Sequence, residues 1–290
     1  MRLRIDPHVH SRLSDGTDSP RELLLRSRAA GLDVIGAVDH DTLDHWPEFR
    51  AAHQELLAEG ENPPAVILGA EISASLDRVP VHLLAYLPDP KRGNLRRQLA
   101  NAKSDRVERL QKMVEKIAVD YPITWQDVLD EVAGLMPGRP HLGDALVRKG
   151  FFADRSEAFR QVLGTHSPYY VRRPPVDAIA TVQSIIADGG VPVLAHPFIT
   201  SRGKAMNSAT VRALAMAGLA GIETAHREME AAARDTATVL AAELGLFVTG
   251  SSDYHGTGKP NQLGENLTSE TSLRRIIAAG ATEILGQLPH

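Results

Sequence analysis

Two short motifs at opposite ends of the chain pair metal-binding side chains two residues apart. His8 and His10 form one pair, and Asp253 and His255 form the other. Side chains two positions apart on an extended backbone share a face, so both members of a pair can contact one ion. The chain has no cysteine, so nitrogen and oxygen atoms must supply every ligand. These ligands suit Zn, Mn or Fe, and the sequence does not choose among the three metals.

Further candidate ligands lie in or just after the other predicted strands. In a parallel α/β barrel the loops at the carboxyl ends of the strands build the active site, so these side chains are expected to meet. One histidine at a strand end is more often a structural hydrogen-bonding group, but nine such groups together favour metal binding. The nine are His8, His10, Asp15, His40, Glu71, His82, His196, Asp253 and His255.

The number of donors predicts the chemistry. A single ion takes about four to six ligands, so nine donors predict two or three divalent ions. Several cations in one cavity suit in-line displacement at phosphorus, because they activate a water and share the charge on the attacking and leaving oxygens. The sequence therefore predicts a hydrolase that acts on phosphate esters.

Short apolar segments alternate with helical patterns along most of the chain. Ser19, Pro20 and Glu22 form a helix start with a capping box, and Gly31 supplies the stop. The alternation favours a parallel α/β sheet, and seven βα units favour a barrel over an open sheet. The seven strands are predicted to begin at Leu3, Asp33, Ala65, Val81, Val191, Gly221 and Leu246.

One stretch breaks this alternation, because only helical patterns and loops occur between Pro88 and Pro174. We predict an inserted small helical domain over 89–173 and a barrel domain formed by 1–88 and 174–290. The segment from Lys91 to Lys116 holds 9 basic and 3 acidic residues. We interpret it as a solvated helix face; the alternative is an electrostatic field that attracts a phosphorylated substrate.

Composition excludes several classes of protein. The 290 residues are 43% hydrophobic and 23% charged with a formal net charge of −4, which is typical of globular proteins. The longest segment without Asp, Glu, Lys or Arg runs from Gly189 to Ser201, too short for a membrane span. No signal-peptide pattern opens the chain, which predicts a cytoplasmic protein. The acidic balance argues against stable binding to duplex nucleic acid, though not against short oligonucleotides.

Together these motifs resemble those of the PHP family, the polymerase and histidinol phosphatase group of metal-dependent phosphoesterases. The resemblance implies a distorted (β/α)7 barrel with a trinuclear centre. It implies one metal on His8, His10, Glu71 and Asp253, a second on Glu71, His82 and His196, and a third on Asp15, His40 and His255. Many relatives have histidine in place of Asp15, so the third site is expected to be weaker or to prefer another metal. The matching segments are 6–11 with 14–16, 38–42, 69–72 with His82, 195–197 and 250–255.

The insertion and its segment Gly138–Leu142 resemble a subgroup that acts on nucleotides. That subgroup removes the 3′-phosphate of nucleoside 3′,5′-bisphosphates or trims short RNA from the 5′ end. The resemblance implies that Arg139 and His141 contact substrate phosphate; alternatively, Arg139 only ties the insertion to the barrel. A metal-bridging hydroxide would attack phosphorus, Asp253 would also be catalytic, and His141 or a metal-bound water would protonate the leaving oxygen.

Four basic residues follow predicted ligand loops, and each could hold a phosphate or be an ordinary surface charge. They are Arg202, Lys204, Arg227 and Lys259, of which Arg202 and Lys204 are predicted to bind substrate.

Other functions stay open at this point. A phosphatase for a small molecule such as histidinol phosphate is one, although a helical insertion fits a lid over a larger substrate. A non-catalytic PHP scaffold is another, but such a module is expected to have lost ligands, and all nine are present. The sequence predicts neither the native metal nor the oligomeric state.

Overall fold

Seven strands form one sheet in which neighbours in the chain are also neighbours in space. The sheet nearly closes, because Asp253 N donates to His8 O at 3.0 Å and His10 N donates to Tyr254 O at 2.9 Å across the first and last strands. The predicted α/β barrel is confirmed. The strands are β1 (Ile5–Val9), β2 (Val34–Ala37), β3 (Ala65–Leu76), β4 (Val79–Tyr86), β5 (Val191–Leu194), β6 (Gly221–Ala225) and β7 (Phe247–Gly250).

The prediction of an all-parallel sheet is wrong at β4. This strand runs antiparallel to both β3 and β5, whereas the other strand pairs are parallel. Asp77 and Arg78 connect β3 to β4 with positive φ angles of 49° and 64°, as a two-residue hairpin turn requires. Asp-Arg is not a typical sequence for such a turn, so the sequence pattern gave no signal for it. β3 also continues beyond Leu68, and Glu71 therefore lies within the strand rather than after it.

The computed structural model describes residues 3–132, 137–172, 176–199 and 206–289. The chain divides into two compact units, Met1–Leu99 with Pro175–His290, and Ala100–Pro174. The first division falls inside a helix, so the predicted domain limits at 88/89 and 173/174 stay predictions. The helices are α1 (Pro20–Ala29), α2 (Trp46–Ala58), α3 (Asn94–Ile117), α4 (Trp125–Leu129), α5 (Arg139–Arg148), α6 (Arg155–Ala158), α7 (Ala178–Ala187), α8 (Ser208–Met216), α9 (Ala231–Leu244) and α10 (Glu270–Ala279).

Each unit has its own apolar core. In the barrel unit, successive strand residues point to opposite faces of the sheet and belong to two apolar clusters. Ile35 and Leu83 belong to one cluster, with residues of the surrounding helices, and Val34 and Leu84 belong to the other. The helical unit is built around residues such as Leu110 and Leu146. The Ser19 capping box that starts α1 is present as predicted. Among the described helices, none has the length and apolar content to cross a membrane.

Candidate metal centre

All nine predicted ligands lie in the barrel unit, and their side chains meet in three overlapping groups. Within each group the ligand atoms all lie within 4.8 Å of one another. Two residues belong to two groups each, Glu71 and His10, and the second membership of His10 was not predicted. The groups are His8, His10, Glu71 and Asp253; Glu71, His82 and His196; and His10, Asp15, His40 and His255.

In the first group, both imidazoles lie close to each other and to both carboxylates. His8 Nε2 and His10 Nε2 are 3.0 Å apart, and each lies between 3.1 and 3.4 Å from Glu71 Oε2 and Asp253 Oδ1. Metal–ligand bonds of about 2.0–2.2 Å in a tetrahedron separate the ligand atoms by roughly 3.3–3.6 Å. The distances from both imidazole nitrogens to the two carboxylates are therefore close to those of ligands that share one ion.

Proton positions in the third group also fit a cation. His255 Nδ1 lies 2.8 Å from Asp253 O and donates to that carbonyl, so in a neutral ring Nε2 carries the lone pair. That lone pair lies 3.2 Å from Asp15 Oδ1, which is a second acceptor. His255 Nε2 and His10 Nδ1 are both buried without a hydrogen-bond partner in the described structure. A neutral His255 ring and the Asp15 carboxylate would both direct lone pairs into this space, and a metal ion there would satisfy both.

Electrostatics in the first group favour a positive charge. Burial by itself lowers the pKa of His10, but hydrogen bonds with Asp253 and Glu71 raise it to about 9. The pKa of His8 also lies well above its usual value, because Glu71 and Glu223 outweigh burial. Burial tends to raise the pKa of Glu71, but the surrounding imidazoles hold it well below the usual range. A proton or a metal ion supplies the positive charge that these carboxylates attract.

Two predicted ligands have a strained backbone. His196 has a φ of 25° and Asp253 a φ of 52°, in the region that disfavours side chains. The His196 backbone is held there by a hydrogen bond from its N–H to Glu223 Oε2 at 2.9 Å. Such strain is typical of functional sites, where the surrounding structure maintains it.

Glu223 and His226 surround the ligands on the side of β6, and both are fully buried. Glu223 Oε1 lies 3.4 Å from His8 Nδ1, so the Nδ1 proton points at the carboxylate and Nε2 faces the first group. His226 Nδ1 accepts from Glu228 N at 3.1 Å, which places its proton on Nε2, 3.3 Å from Asp253 Oδ2. The contacts of Glu223 and His226 show that they orient predicted ligands.

Comparisons with known proteins agree with this arrangement. The model of the PHP domain family matches residues 6–138. A solved structure from Bifidobacterium adolescentis, assigned as a metal-dependent phosphoesterase, is 37% identical to this chain with a TM-score of 0.83, and the match covers 97% of both chains. The chain belongs to the PHP family. It is therefore a metal-dependent phosphoesterase, and hence a hydrolase.

Two curated relatives of this PHP chain have named activities. A 3′,5′-nucleoside bisphosphate phosphatase from Chromobacterium violaceum is 28% identical over 262 residues, covering 88% of each chain. A 5′-3′ exoribonuclease from Haemophilus influenzae is 28% identical over 268 residues, covering 92% of this chain and 95% of the relative.

We expect metal binding to the PHP barrel to release protons. His10 has a pKa of about 9 without metal, so near pH 7.5 an ion must displace its proton. Metal affinity should therefore rise between about pH 6 and pH 9 and fall on acidification. Calorimetric titration in two buffers of different ionisation enthalpy measures the protons released. Binding heats that are independent of the buffer would contradict this expectation.

We expect Glu223→Gln to weaken metal binding and turnover by about 10- to 100-fold, the usual effect of removing a partner that orients a ligand. The Glu223 carboxylate now accepts hydrogen bonds from His8 Nδ1, Ser251 Oγ and the His196 N–H. The glutamine amide would offer these donors a neutral oxygen or another donor in its place. Metal content and kcat/KM of the variant measure the effect. Glu243→Gln is a matched control, because Glu243 pairs with Arg212 at the surface.

Two buried carboxylates, Asp39 and Asp6, brace loops of the PHP barrel. Asp39 accepts hydrogen bonds from Ser11 N at 2.8 Å and Ser14 Oγ at 2.6 Å. Asp6 accepts from Ser252 N at 3.0 Å and from Gly264 N at 2.8 Å. Both carboxylates therefore hold the chain segments that carry predicted ligands.

Two of the predicted substrate residues belong to the helical unit, and the other two lie outside the described residues. Arg139 and His141 belong to the helical unit, where Arg139 Nη1 donates to Leu163 O at 3.1 Å and its guanidinium lies 5.6 Å from the ring centres of Phe159 and Tyr170. The contact of Arg139 and His141 with substrate stays a prediction. Arg202 and Lys204 lie outside the described residues.

Proposed function

We propose that this phosphoesterase hydrolyses nucleotides, either at the 3′-phosphate of nucleoside 3′,5′-bisphosphates or at the 5′ end of short RNA. The observation that carries the proposal is the set of three ligand groups joined through Glu71 and His10. Adjoining cation sites suit displacement at phosphorus, where charge develops on both the attacking and leaving oxygens. The names of the two curated relatives support nucleotides as the substrate class.

We further propose that the three groups hold divalent ions, of which Zn, Mn or Fe suit the donors. Such ions supply an activated water and neutralise charge on the phosphate. Within the groups, Glu71 would serve two ions through its two oxygens. His8 and His255 would each offer Nε2, because their Nδ1 protons are directed at Glu223 Oε1 and Asp253 O.

An apolar cavity beside the second group supports a substrate with an organic part attached to phosphate. His82 and His196 line the cavity together with the apolar side chains of Phe198, Ile199 and Met206. In this proposal, part of the organic group would contact these walls while its phosphate lies near the imidazoles.

His141 would contact phosphate as a neutral donor. Its Nδ1 accepts from Gly138 N at 3.0 Å at the start of α5, so its proton is on Nε2. Burial lowers the pKa of His141, which keeps the ring neutral near pH 7. Protonating Nδ1 would break the bond to Gly138, so we propose that water rather than His141 protonates the leaving oxygen.

The substrate proposal is tested with metal-reconstituted protein and three substrates. These are a nucleoside 3′,5′-bisphosphate, a short 5′-phosphorylated RNA and histidinol phosphate, each followed by phosphate or nucleotide release. We expect kcat/KM for one of the first two to exceed that for histidinol phosphate by at least about tenfold, since a poorly filled pocket loses 1–3 kcal/mol. A preference for histidinol phosphate would contradict the nucleotide assignment. No turnover of any ester with all metals present would favour a scaffold.

A further inference from the structure

Lys259 contacts the candidate centre without being one of its predicted ligands. Its Nζ donates to Asp253 Oδ2 at 3.0 Å, and its side chain is 28% exposed while that of Asp253 is 1% exposed. Asp253 Oδ1, the other carboxylate oxygen, lies 3.2 Å from His10 Nε2 in the first group. The ammonium is therefore one carboxylate away from the atoms predicted to bind metal, and it reaches solvent.

The loop that carries Lys259 is fixed on both sides of this residue. Thr257 N donates to Thr17 Oγ1 at 2.9 Å, and Asn261 Nδ2 donates to Ser252 O at 2.7 Å. Gly256 has a φ of 67°, and a Cβ there would lie 1.9 Å from Thr17 Oγ1. The close approach of these two loops thus requires glycine. Lys259 is held beside the centre by the fold rather than placed there by a flexible loop.

Asp253 does not need the lysine to be oriented. His226 Nε2 lies 3.3 Å from the same Oδ2, with its proton fixed there by the Glu228 N–H bond to Nδ1. Arg234 Nη2 donates to His226 O at 2.7 Å and so braces the backbone of that histidine. A neutral, buried donor already sets which oxygen of Asp253 faces the ligand group.

A lysine at this point is unfavourable for metal binding alone. Like charges repel, so an ammonium beside a metal ligand opposes the binding of a divalent cation. The same charge attracts a phosphate group, and a charged N–H donor forms stronger hydrogen bonds to phosphate than a neutral one. The lysine ammonium has three donors, and its described contact with Asp253 uses one.

We propose that Lys259 binds the phosphate group on which the enzyme acts. Its ammonium keeps its contact with Asp253 or exchanges it for a phosphate oxygen at the mouth of the centre. The ligand class is a phosphate monoester dianion or its product, inorganic phosphate. This inference rests on the phosphoesterase activity and not on the choice of nucleotide as substrate.

The test uses metal-loaded Lys259→Met and Lys259→Arg with two readouts. Inorganic phosphate binding, measured by calorimetry and by product inhibition of p-nitrophenyl phosphate hydrolysis, should weaken about 10- to 100-fold in Lys259→Met. Lys259→Arg should retain most of the affinity, because arginine keeps the charge and its donors. Metal content and melting temperature should match the parent protein. Lys112→Met is the control, because Lys112 pairs with Glu108 on the surface of α3.

Two outcomes would overturn the proposal. Loss of metal from Lys259→Met under conditions that saturate the parent would make Lys259 a positioning residue for Asp253. Unchanged phosphate affinity with full metal content would make it a packing residue. Lys259→Gln replaces Lys259→Met if the methionine variant does not fold. Phosphate binding by calorimetry needs no substrate, so failure of the nucleotide assignment leaves this test intact.

Discussion

Asp253→Ala should lower kcat/KM for phosphate-ester hydrolysis by about 10³-fold or more while the barrel stays folded. Asp253 Oδ1 lies 3.4 Å from His8 Nε2 and 3.2 Å from His10 Nε2, so alanine removes one member of the first group. An ion in such a site contributes several kcal/mol of transition-state stabilisation, and each 1.36 kcal/mol corresponds to tenfold in rate. Phosphate release and metal content after reconstitution measure the loss.

His10→Ala should have at least as large an effect, because His10 belongs to two groups. Its Nε2 lies 3.1 Å from Glu71 Oε2, and its Nδ1 lies 3.8 Å from Asp15 Oδ1. Circular dichroism and melting temperature should show that both variants keep the fold. His166→Ala is the matched control, since His166 is exposed and lies in the helical unit. Activity that survives in either variant after saturation with metal would argue against a metal centre at these residues.

Glu71→Gln should remove more than one equivalent of metal and reduce turnover by about 10³-fold or more. Glu71 Oε1 lies 2.7 Å from His82 Nδ1 and 3.0 Å from His196 Nε2, and Oε2 lies 3.2 Å from His8 Nε2 and 3.1 Å from His10 Nε2. Its charge thus serves two groups at once. A neutral amide is a weaker ligand, and its NH2 group donates where lone pairs are needed.

His82→Ala provides the comparison for Glu71→Gln. His82 belongs to one group and is 24% exposed, whereas Glu71 is 1% exposed and belongs to two. Elemental analysis of both variants should find a smaller metal deficit in His82→Ala. Equal deficits in the two variants would mean that Glu71 is not a shared ligand.

The ligand set could be predicted from sequence because most of its signals are local. His8 with His10 and Asp253 with His255 are pairs whose spacing already places both side chains on one face. The ends of parallel strands gather at one end of a barrel, so a residue such as His40 can be assigned to the centre without a contact map. In the structure His40, just after β2, pairs with Glu71 of β3 as an isolated bridge.

The direction of β4 could not be predicted in the same way. The apolar pattern of Val79–Tyr86 indicates a buried strand. The same pattern would suit a parallel or an antiparallel strand, so it does not predict the direction. A parallel partner needs a helical crossover, and only Asp77 and Arg78 separate β3 from β4. That short connection was hidden because β3 extends beyond its apolar segment through Ser73 and Ser75, which resemble loop residues.

The sequence by itself determined the class of protein: a barrel with nitrogen and oxygen ligands at its strand ends, and so a metal-dependent phosphoesterase. The tertiary structure decided which atoms face each other. The contacts of Glu223 with His8, and of His226 and Lys259 with Asp253, join residues far apart in the chain. Whether two groups form a hydrogen bond depends on differences of a few tenths of an ångström in their separation, and for histidine on which ring nitrogen carries the proton. Residue spacing encodes neither of these, and only the packed barrel sets them.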